Sequence, residues 1–206
     1  MLTIALSKGY LLNEALKLCG AAGVRLPAAD LSRKLEFTDI QQKYRFLIVR
    51  PMDVPVYVEY GAADLGIAGK DVLRENSYKL VELLDLKFGY CRLVVAAQRG
   101  RHKAATLVSG LRAATKYINS AAAYFAGRGL DVELIKMYGS VELAPIDGLS
   151  DVIVDLVATG KTLQENGLEI VAEIYDTTAR LVANRVKVKS KYPEIMALAG
   201  RMKRVL

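Results

Sequence analysis

Apolar and polar positions along this chain keep two rhythms. Leu2 to Leu6 predicts a strand, and Leu11 to Cys19 places its apolar residues at helical steps up to Gly20. Phe46-Leu47-Ile48-Val49 forms the buried part of a strand over Tyr44 to Arg50. Asp53, with Pro55 in the first turn, predicts a capped helix reaching about Tyr60. Further strands are expected over 64–68, 80–86, 91–97, 131–136 and 152–157, with helices over 71–76 and 117–126. Glu169 to Tyr175 and Arg180 to Val188 read as two long strands. Within the second, Arg185-Val186-Lys187-Val188-Lys189 alternates charge and valine, as an edge strand does when lysines discourage sheet-to-sheet pairing. Tyr192 to Arg204 predicts a closing helix that buries Ile195, Met196, Ala199 and Met202. Strands alternating with helices, without repeats or a low-complexity linker, indicate α/β architecture with mainly parallel sheets.

Composition narrows the class. Hydrophobic residues make up 52% of 206, enough for a sizeable core. No apolar run approaches the ~18 residues that span a bilayer, and Lys8-Gly9 interrupts the N-terminus before an export signal could form. A cytoplasmic location is therefore expected. Cys19 and Cys91 lie on apolar stretches and read as reduced core residues. The single histidine, His102, sits in the basic run Arg99-Gly100-Arg101-His102-Lys103 and reads as a solvated loop residue; without a Cys/His cluster, zinc is not expected. The net charge of +7 is concentrated. Residues 185–206 carry seven basic residues and one acid, so the other 184 residues sum to +1. That pattern argues against a nucleic-acid binder, and no basic–aromatic interleaving appears. It fits a solvated edge, or a docking surface for an acidic partner.

The most informative chemistry lies at residues 151–167. The apolar run Val152–Val157 contains an acid, Asp155, and runs into Ala158-Thr159-Gly160-Lys161-Thr162. A short helix pattern follows and ends at Asn166-Gly167. Strand, glycine loop and helix start together make an anion site, because exposed N–H groups and the positive helix end face one point. An acid just upstream suits sugar hydroxyls or a metal, and the combination suits a phosphorylated sugar rather than a bare phosphate. The same spacing also fits a turn that binds nothing, since Thr162-x-x-Glu165 has capping-box spacing. It is not a Walker A loop, because Asp155 stands where the first glycine would be required. Lys8-Gly9 repeats the strand–Gly–helix geometry at the first turn.

From Asp151 to Leu168 the chain resembles the phosphoribosyl-pyrophosphate loop of ATP phosphoribosyltransferases, which open histidine biosynthesis. Other segments agree in order: Ile4-Ala5-Leu6-Ser7-Lys8-Gly9, Ser32-Arg33-Lys34, Val49-Arg50-Pro51-Met52-Asp53-Val54-Pro55, Gly61 to Asp71, Ala114-Thr115-Lys116-Tyr117, Gly139-Ser140-Val141-Glu142-Leu143-Ala144-Pro145 and Thr178 to Asn184. The resemblance covers nearly the whole chain. It departs at Ser7, where proline is frequent, at Ser150, where alanine is usual, and at Pro51.

The resemblance implies two α/β lobes of the periplasmic-binding-protein type II architecture with an active-site cleft between them. Lobe I is expected over 1–89 plus 181–206 and lobe II over 90–180, with crossings near 88–91 and 178–184. The implied reaction joins N1 of adenine in ATP to C1 of 5-phosphoribosyl 1-pyrophosphate, releasing pyrophosphate. Asp151, Asp155, Ala158, Thr159, Gly160, Lys161 and Thr162 are implied to bind phosphoribosyl pyrophosphate. Lys8, Gly9, Arg33, Arg50, Gly69, Asp71 and Glu142 are implied to bind ATP or pyrophosphate. Arg33, Arg50 and Asp155 are the implied catalytic residues. The implied cofactor is Mg2+ (magnesium), with no protein ligand set beyond Asp155 acting through water. The chain ends at Leu206, as the short form does, which implies a separate regulatory subunit resembling a histidyl-tRNA synthetase and a homodimer within a hetero-oligomer. The alternative is a non-catalytic two-lobe small-molecule binding module, since fold does not fix function. The commoner phosphoribosyltransferases place two adjacent acids before their phosphate loop, whereas Asp155 stands between Val154 and Leu156.

Overall fold

The structure, a computed structural model, describes residues 1–28, 31, 34–101 and 107–206. Its chain divides into two compact units, one of Met1–Gly89 with Thr178–Leu206, the other of Tyr90–Thr177. The chain returns to the first unit at Thr178, where the Ala179 N–H bonds to the Phe88 carbonyl at 2.9 Å and Ala179 pairs with Gly69.

In the first unit, β1 (Leu2–Ser7), β2 (Glu36–Thr38), β3 (Tyr44–Val49), β4 (Leu65–Gly69), β5 (Leu80–Asp85) and β11 (Ala179–Asn184) form a sheet in the order β2-β3-β1-β4-β11-β5. β1 runs parallel to both β3 and β4. Its middle residues Ile4, Ala5 and Leu6 are fully buried, which explains their uninterrupted apolar run. One face carries Ile4, Leu6, Phe46, Ile48, Leu65, Ile67 and Leu181 against α1 (Leu12–Ala21) and α8 (Tyr192–Arg204). The other packs Ala5, Ala68 and Val182 on α2 (Val54–Glu59). α3 (Lys70–Glu75) follows β4, and α7 (Arg185–Ser190) follows β11.

The second unit contains β6 (Cys91–Gln98), β7 (Arg112–Thr115), β8 (Glu133–Lys136), β9 (Val152–Val157) and β10 (Leu168–Thr177), ordered β10-β6-β9-β7-β8. Helices α4 (Ile118–Ala126), α5 (Leu143–Ile146) and α6 (Lys161–Glu165) complete it. Leu93, Val95, Ala113, Val152 and Val154 face α4. Val94, Ala96, Ala114, Ile153 and Val157 face the opposite way, onto Val141, Ala144 and Leu163.

Both sheets are mixed, not mainly parallel. β7, β8 and β9 run parallel, but β6 lies antiparallel between β9 and β10, and β11 lies antiparallel between β4 and β5. Apolar runs look alike in either direction, so the pattern could not reveal this. The alternating segment at 185–189 is also not a strand but α7. The Asn184 side chain accepts hydrogen bonds from the N–H groups of Val186 and Lys187, at 2.9 and 3.0 Å, and so caps a helix there. Asn184 Nδ2 in turn donates to the carbonyls of Val58 and Glu59 at 2.8 and 3.0 Å, tying that cap to the end of α2. In α8, Leu198 takes the buried place expected for Met196, which is 39% exposed. Asp53 makes no side-chain cap; a 3-10 turn over Pro51–Asp53 leads into α2 instead. α1 runs one residue past Gly20, to Ala21. Cys19 is fully buried and Cys91 half-buried, and neither forms a disulfide.

No helix among the described residues is long and apolar enough to cross a membrane.

Candidate functional site

β9 delivers the central element. Its register against β6 sets Asp155 opposite Val94, on the face that also carries Ile153 and Val157. After Val157 the chain exposes Ala158 and Thr159, then turns at Gly160, whose φ of 81° and ψ of −1° are left-handed. Gly160 occupies the N-cap position of α6, a conformation that costs any residue with a Cβ. The capping-box reading of Thr162 therefore fails: Thr162 lies inside α6, and Lys161 and Glu165 pair across one turn at 3.7 Å. The helix ends as its sequence indicates, with Gly167 at φ 68° and the Asn166 side chain donating to the Thr162 carbonyl at 2.8 Å. Leu163 anchors the turn in the core beneath.

Asp155 is the unusual group. The Lys116 ammonium, just past the end of β7, lies 3.4 Å from Asp155 Oδ1, an inward-facing oxygen sealed from solvent. Burial pushes the Asp155 carboxyl above the ordinary carboxylate range; Lys116 and the Leu156 N–H pull it back, and Glu142 adds to the rise. Glu142, at the start of α5, is thus close enough to act on Asp155 electrostatically. Lys116, Glu142, Asp155 and the 158–162 loop converge at the C-terminal ends of β7 and β9, which run parallel. In open α/β sheets that edge is where ligands bind.

Asp151 does not join them. It precedes β9 at the other end, where its carboxylate accepts the Arg112 N–H at 2.8 Å and lies 3.5 Å from that residue's guanidinium. Four residues of strand place it about 13 Å from Asp155, in a position that ties β9 to β7.

The first unit has a corresponding edge. β1, β3 and β4 end there in Lys8-Gly9, Arg50 and Gly69-Lys70-Asp71. The Lys8 N–H bonds to the Val49 carbonyl at 2.8 Å, so Lys8 and Arg50 leave neighbouring strand ends. Both are exposed, and neither has an ion-pair partner among the described residues. Gly9 has φ 93°. Asp71 is buried and folds back on Gly69, where an added Cβ would stand 2.1 Å from Asp71 Oδ1; that close approach requires glycine. Arg33 and His102 lie outside the described residues.

Two charged residues received no role from sequence. Lys116 lay inside a recognised segment, but its pairing with Asp155 spans 39 positions and needs the β7–β9 register to be seen. Arg180, on β11, pairs with Glu82 at 3.2 Å and with Asp85, while Thr178 Oγ1 donates to Asp85 at 2.9 Å. Lys70 pairs with the same Glu82. This network fastens the returning chain beside the end of β4.

No group of three or more His, Cys, Asp or Glu side chains placed to hold a metal occurs among the described residues.

Residues 50–204 match the HisG family model, ATP phosphoribosyltransferase. An ATP phosphoribosyltransferase of Geobacter metallireducens is 51% identical over 197 residues, covering 94% of this chain and 93% of that protein. One of Moorella thermoacetica is 50% identical over 99% of this chain and 92% of its own length. Among solved structures, the ATP phosphoribosyl transferase (HisG:HisZ) complex from Thermotoga maritima has a TM-score of 0.85 and 34% identity, covering all of this chain and 98% of its counterpart. The alkanesulfonate-binding protein SsuA from Xanthomonas axonopodis, at 13% identity and a TM-score of 0.60 over 98% of this chain and 72% of its own, shares the fold alone. The architecture is thus the two-lobed α/β type of periplasmic binding proteins.

Proposed function

The chain belongs to the ATP phosphoribosyltransferase family, and we propose that the loop after β9 and the cationic edge of β1, β3 and β4 carry that family's reaction here. The chain condenses ATP with 5-phosphoribosyl 1-pyrophosphate, the first step of histidine biosynthesis. The observation that supports this site most is a buried carboxylate, Asp155, set directly before a left-handed glycine turn at a strand's C-terminal end.

The N–H groups of 158–162 hold the 5-phosphate, and Asp155 faces the ribose hydroxyls. Lys8 and Arg50, with Arg33, receive the triphosphate of ATP and the leaving pyrophosphate. Arginine suits that task because its fork binds two phosphate oxygens and it stays charged. Glu142 orients the adenine side, while Gly9, Gly69 and Asp71 shape the polyphosphate edge. The lone pair on adenine N1 forms the new bond to C1, and the C1–oxygen pair departs with pyrophosphate. The ring nitrogen attacks through its own lone pair, so no strong base is required.

Magnesium would enter as a cation carried by the phosphates, with Asp155, the acid on β9 just before the loop, holding it through water. Such an ion would supply positive charge against the departing pyrophosphate. By extension from the two-chain complex of Thermotoga maritima, this chain works as a homodimer joined to a regulatory subunit resembling a histidyl-tRNA synthetase, in the cytoplasm. Histidine is expected to slow the assembled complex and not the chain alone.

Incubation with ATP, phosphoribosyl pyrophosphate and Mg2+ tests the reading. N1-substituted adenine should accumulate in step with pyrophosphate. Binding of both substrates without either product would instead make the chain a binding module.

A further inference from the structure

We propose that Lys116 is a positioning residue for phosphoribosyl transfer, holding the Asp155 carboxylate charged and fixed in orientation beside the phosphate loop. The proposal rests on the reading of that loop as the phosphoribosyl site.

The backbone around Lys116 is pinned on both sides. Thr115, fully buried, donates its hydroxyl to the Val154 carbonyl at 2.6 Å and accepts the Tyr117 N–H at 2.8 Å. These bonds lock the end of β7 to β9 one residue before Asp155. From that fixed point the Lys116 side chain, 39% exposed, reaches the Asp155 side chain, which is only 15% exposed. The ammonium also lies 5.2 Å from the centroid of the Tyr117 ring, a second weak hold on its position.

A carboxylate this far from water is disfavoured unless a cation accompanies it. Glu142 makes the problem worse, since its negative charge also acts on Asp155. Lys116 is the one cation paired with Asp155 among the described residues. Oδ1 is sealed from solvent, and Lys116 acts on it chiefly through its charge, any hydrogen bond between them being the lesser contribution. The ammonium therefore acts as a point charge on the inward oxygen. It sets the carboxylate's orientation without consuming the hydrogen-bonding capacity that a ribose hydroxyl needs. Lysine suits this better than arginine, whose fork would bind both oxygens at once.

The test is a double-mutant cycle on the full chain, assayed for ATP phosphoribosyl transfer, with Lys116→Met, Lys116→Arg and Asp155→Asn. Lys116→Met should lower kcat/KM for phosphoribosyl pyrophosphate at least tenfold and leave KM for ATP within twofold. A purely structural role would not produce that split. Lys116→Arg, keeping the charge, should recover part of the loss. In an Asp155→Asn background, Lys116→Met should cost less than twofold more, because the charge it served is gone. An equal cost in both backgrounds would overturn the proposal, since Lys116 would then act on substrate directly. So would a fully active Lys116→Met chain. If Asp155→Asn alone leaves kcat/KM unchanged, the reading of the loop as the site falls; a costly Asp155→Asn with an uncoupled Lys116 removes only the role given to Lys116.

Discussion

The two strand edges assigned to substrate handle charge in opposite ways. In the first unit, Lys8 and Arg50 stand exposed and without ion-pair partners among the described residues, on neighbouring strand ends. In the second, Asp155 is sunk into the sheet and paired with Lys116. Exposed cations cost little to keep charged and can follow a mobile polyphosphate, but water and salt weaken each contact. A buried acid is costly to keep charged, yet its orientation is fixed before substrate arrives. The first arrangement suits neutralising a leaving group; the second suits orienting a sugar ring.

The largest effect should come from the exposed edge. Arg50→Ala should lose about 2–4 kcal/mol of transition-state stabilisation, read from kcat/KM, if the guanidinium meets charge that develops as pyrophosphate leaves. The same loss is expected for Arg33→Ala. Retention of wild-type kcat/KM in Arg50→Ala would remove the cationic edge from the reaction.

Next comes the loop itself. Gly160→Val should cost roughly 1–3 kcal/mol in affinity for phosphoribosyl pyrophosphate, through the left-handed backbone that valine resists. Packing is not the obstacle, because a Cβ at Gly160 meets only Val157 Cγ1, at 3.8 Å. Calorimetry should show weaker binding while most of the folding stability remains. Unchanged affinity in a folded variant would mean that this loop holds no phosphate.

The buried acid makes a prediction about pH. Asp155 has a raised pKa in the folded chain, so the folded state holds that proton more tightly than the unfolded state does. Its charge therefore opposes folding at neutral pH, and the penalty fades as pH falls to the ordinary carboxylate range. Asp155→Asn should raise the melting temperature near pH 7 and confer no gain in acid below that range. An equal gain at both pH values would remove desolvation as the cause.

The smallest effect should come from the basic segment. Lys187→Ala should change kcat/KM by less than about 0.5 kcal/mol. α7 follows the end of β11 at Asn184, which pairs with Leu80 at the start of β5, whereas Lys8, Arg50 and Gly69 lie at the opposite sheet edge. A loss at Lys187 equal to that at Arg50 would mean that bulk charge, rather than position, drives catalysis.

Much of this was legible in the chain. The strand–glycine–helix passage at 152–165 needs only local information: an apolar run, a residue that tolerates positive φ, and a short amphipathic turn. The strands at 2–7, 44–49 and 91–98 were legible for the same reason, as their middles, Ile4–Leu6, Phe46–Ile48 and Leu93–Ala97, are buried on both faces and read as short apolar runs. At residues 185–189 local pattern misled. Alternating lysine and valine fits a strand, and Asn184 overrode it by capping a helix and bonding across to α2. Met196 and Leu198 flank Ile195 on opposite sides of the helix, and only the packing of α1 and the sheet decides that the Leu198 flank faces inward.

Sequence alone determined the α/β class, the glycine turn and the family, because these are written in residue types and short spacings. Tertiary structure decided strand direction, the separation of Asp151 from Asp155, and the meeting of Lys116 with Asp155. Each depends on which strands lie side by side and in what register. Hydrophobic burial drives strands together without encoding their order, so the electrostatics of a buried acid emerge only once neighbours 39 residues away have been set beside it.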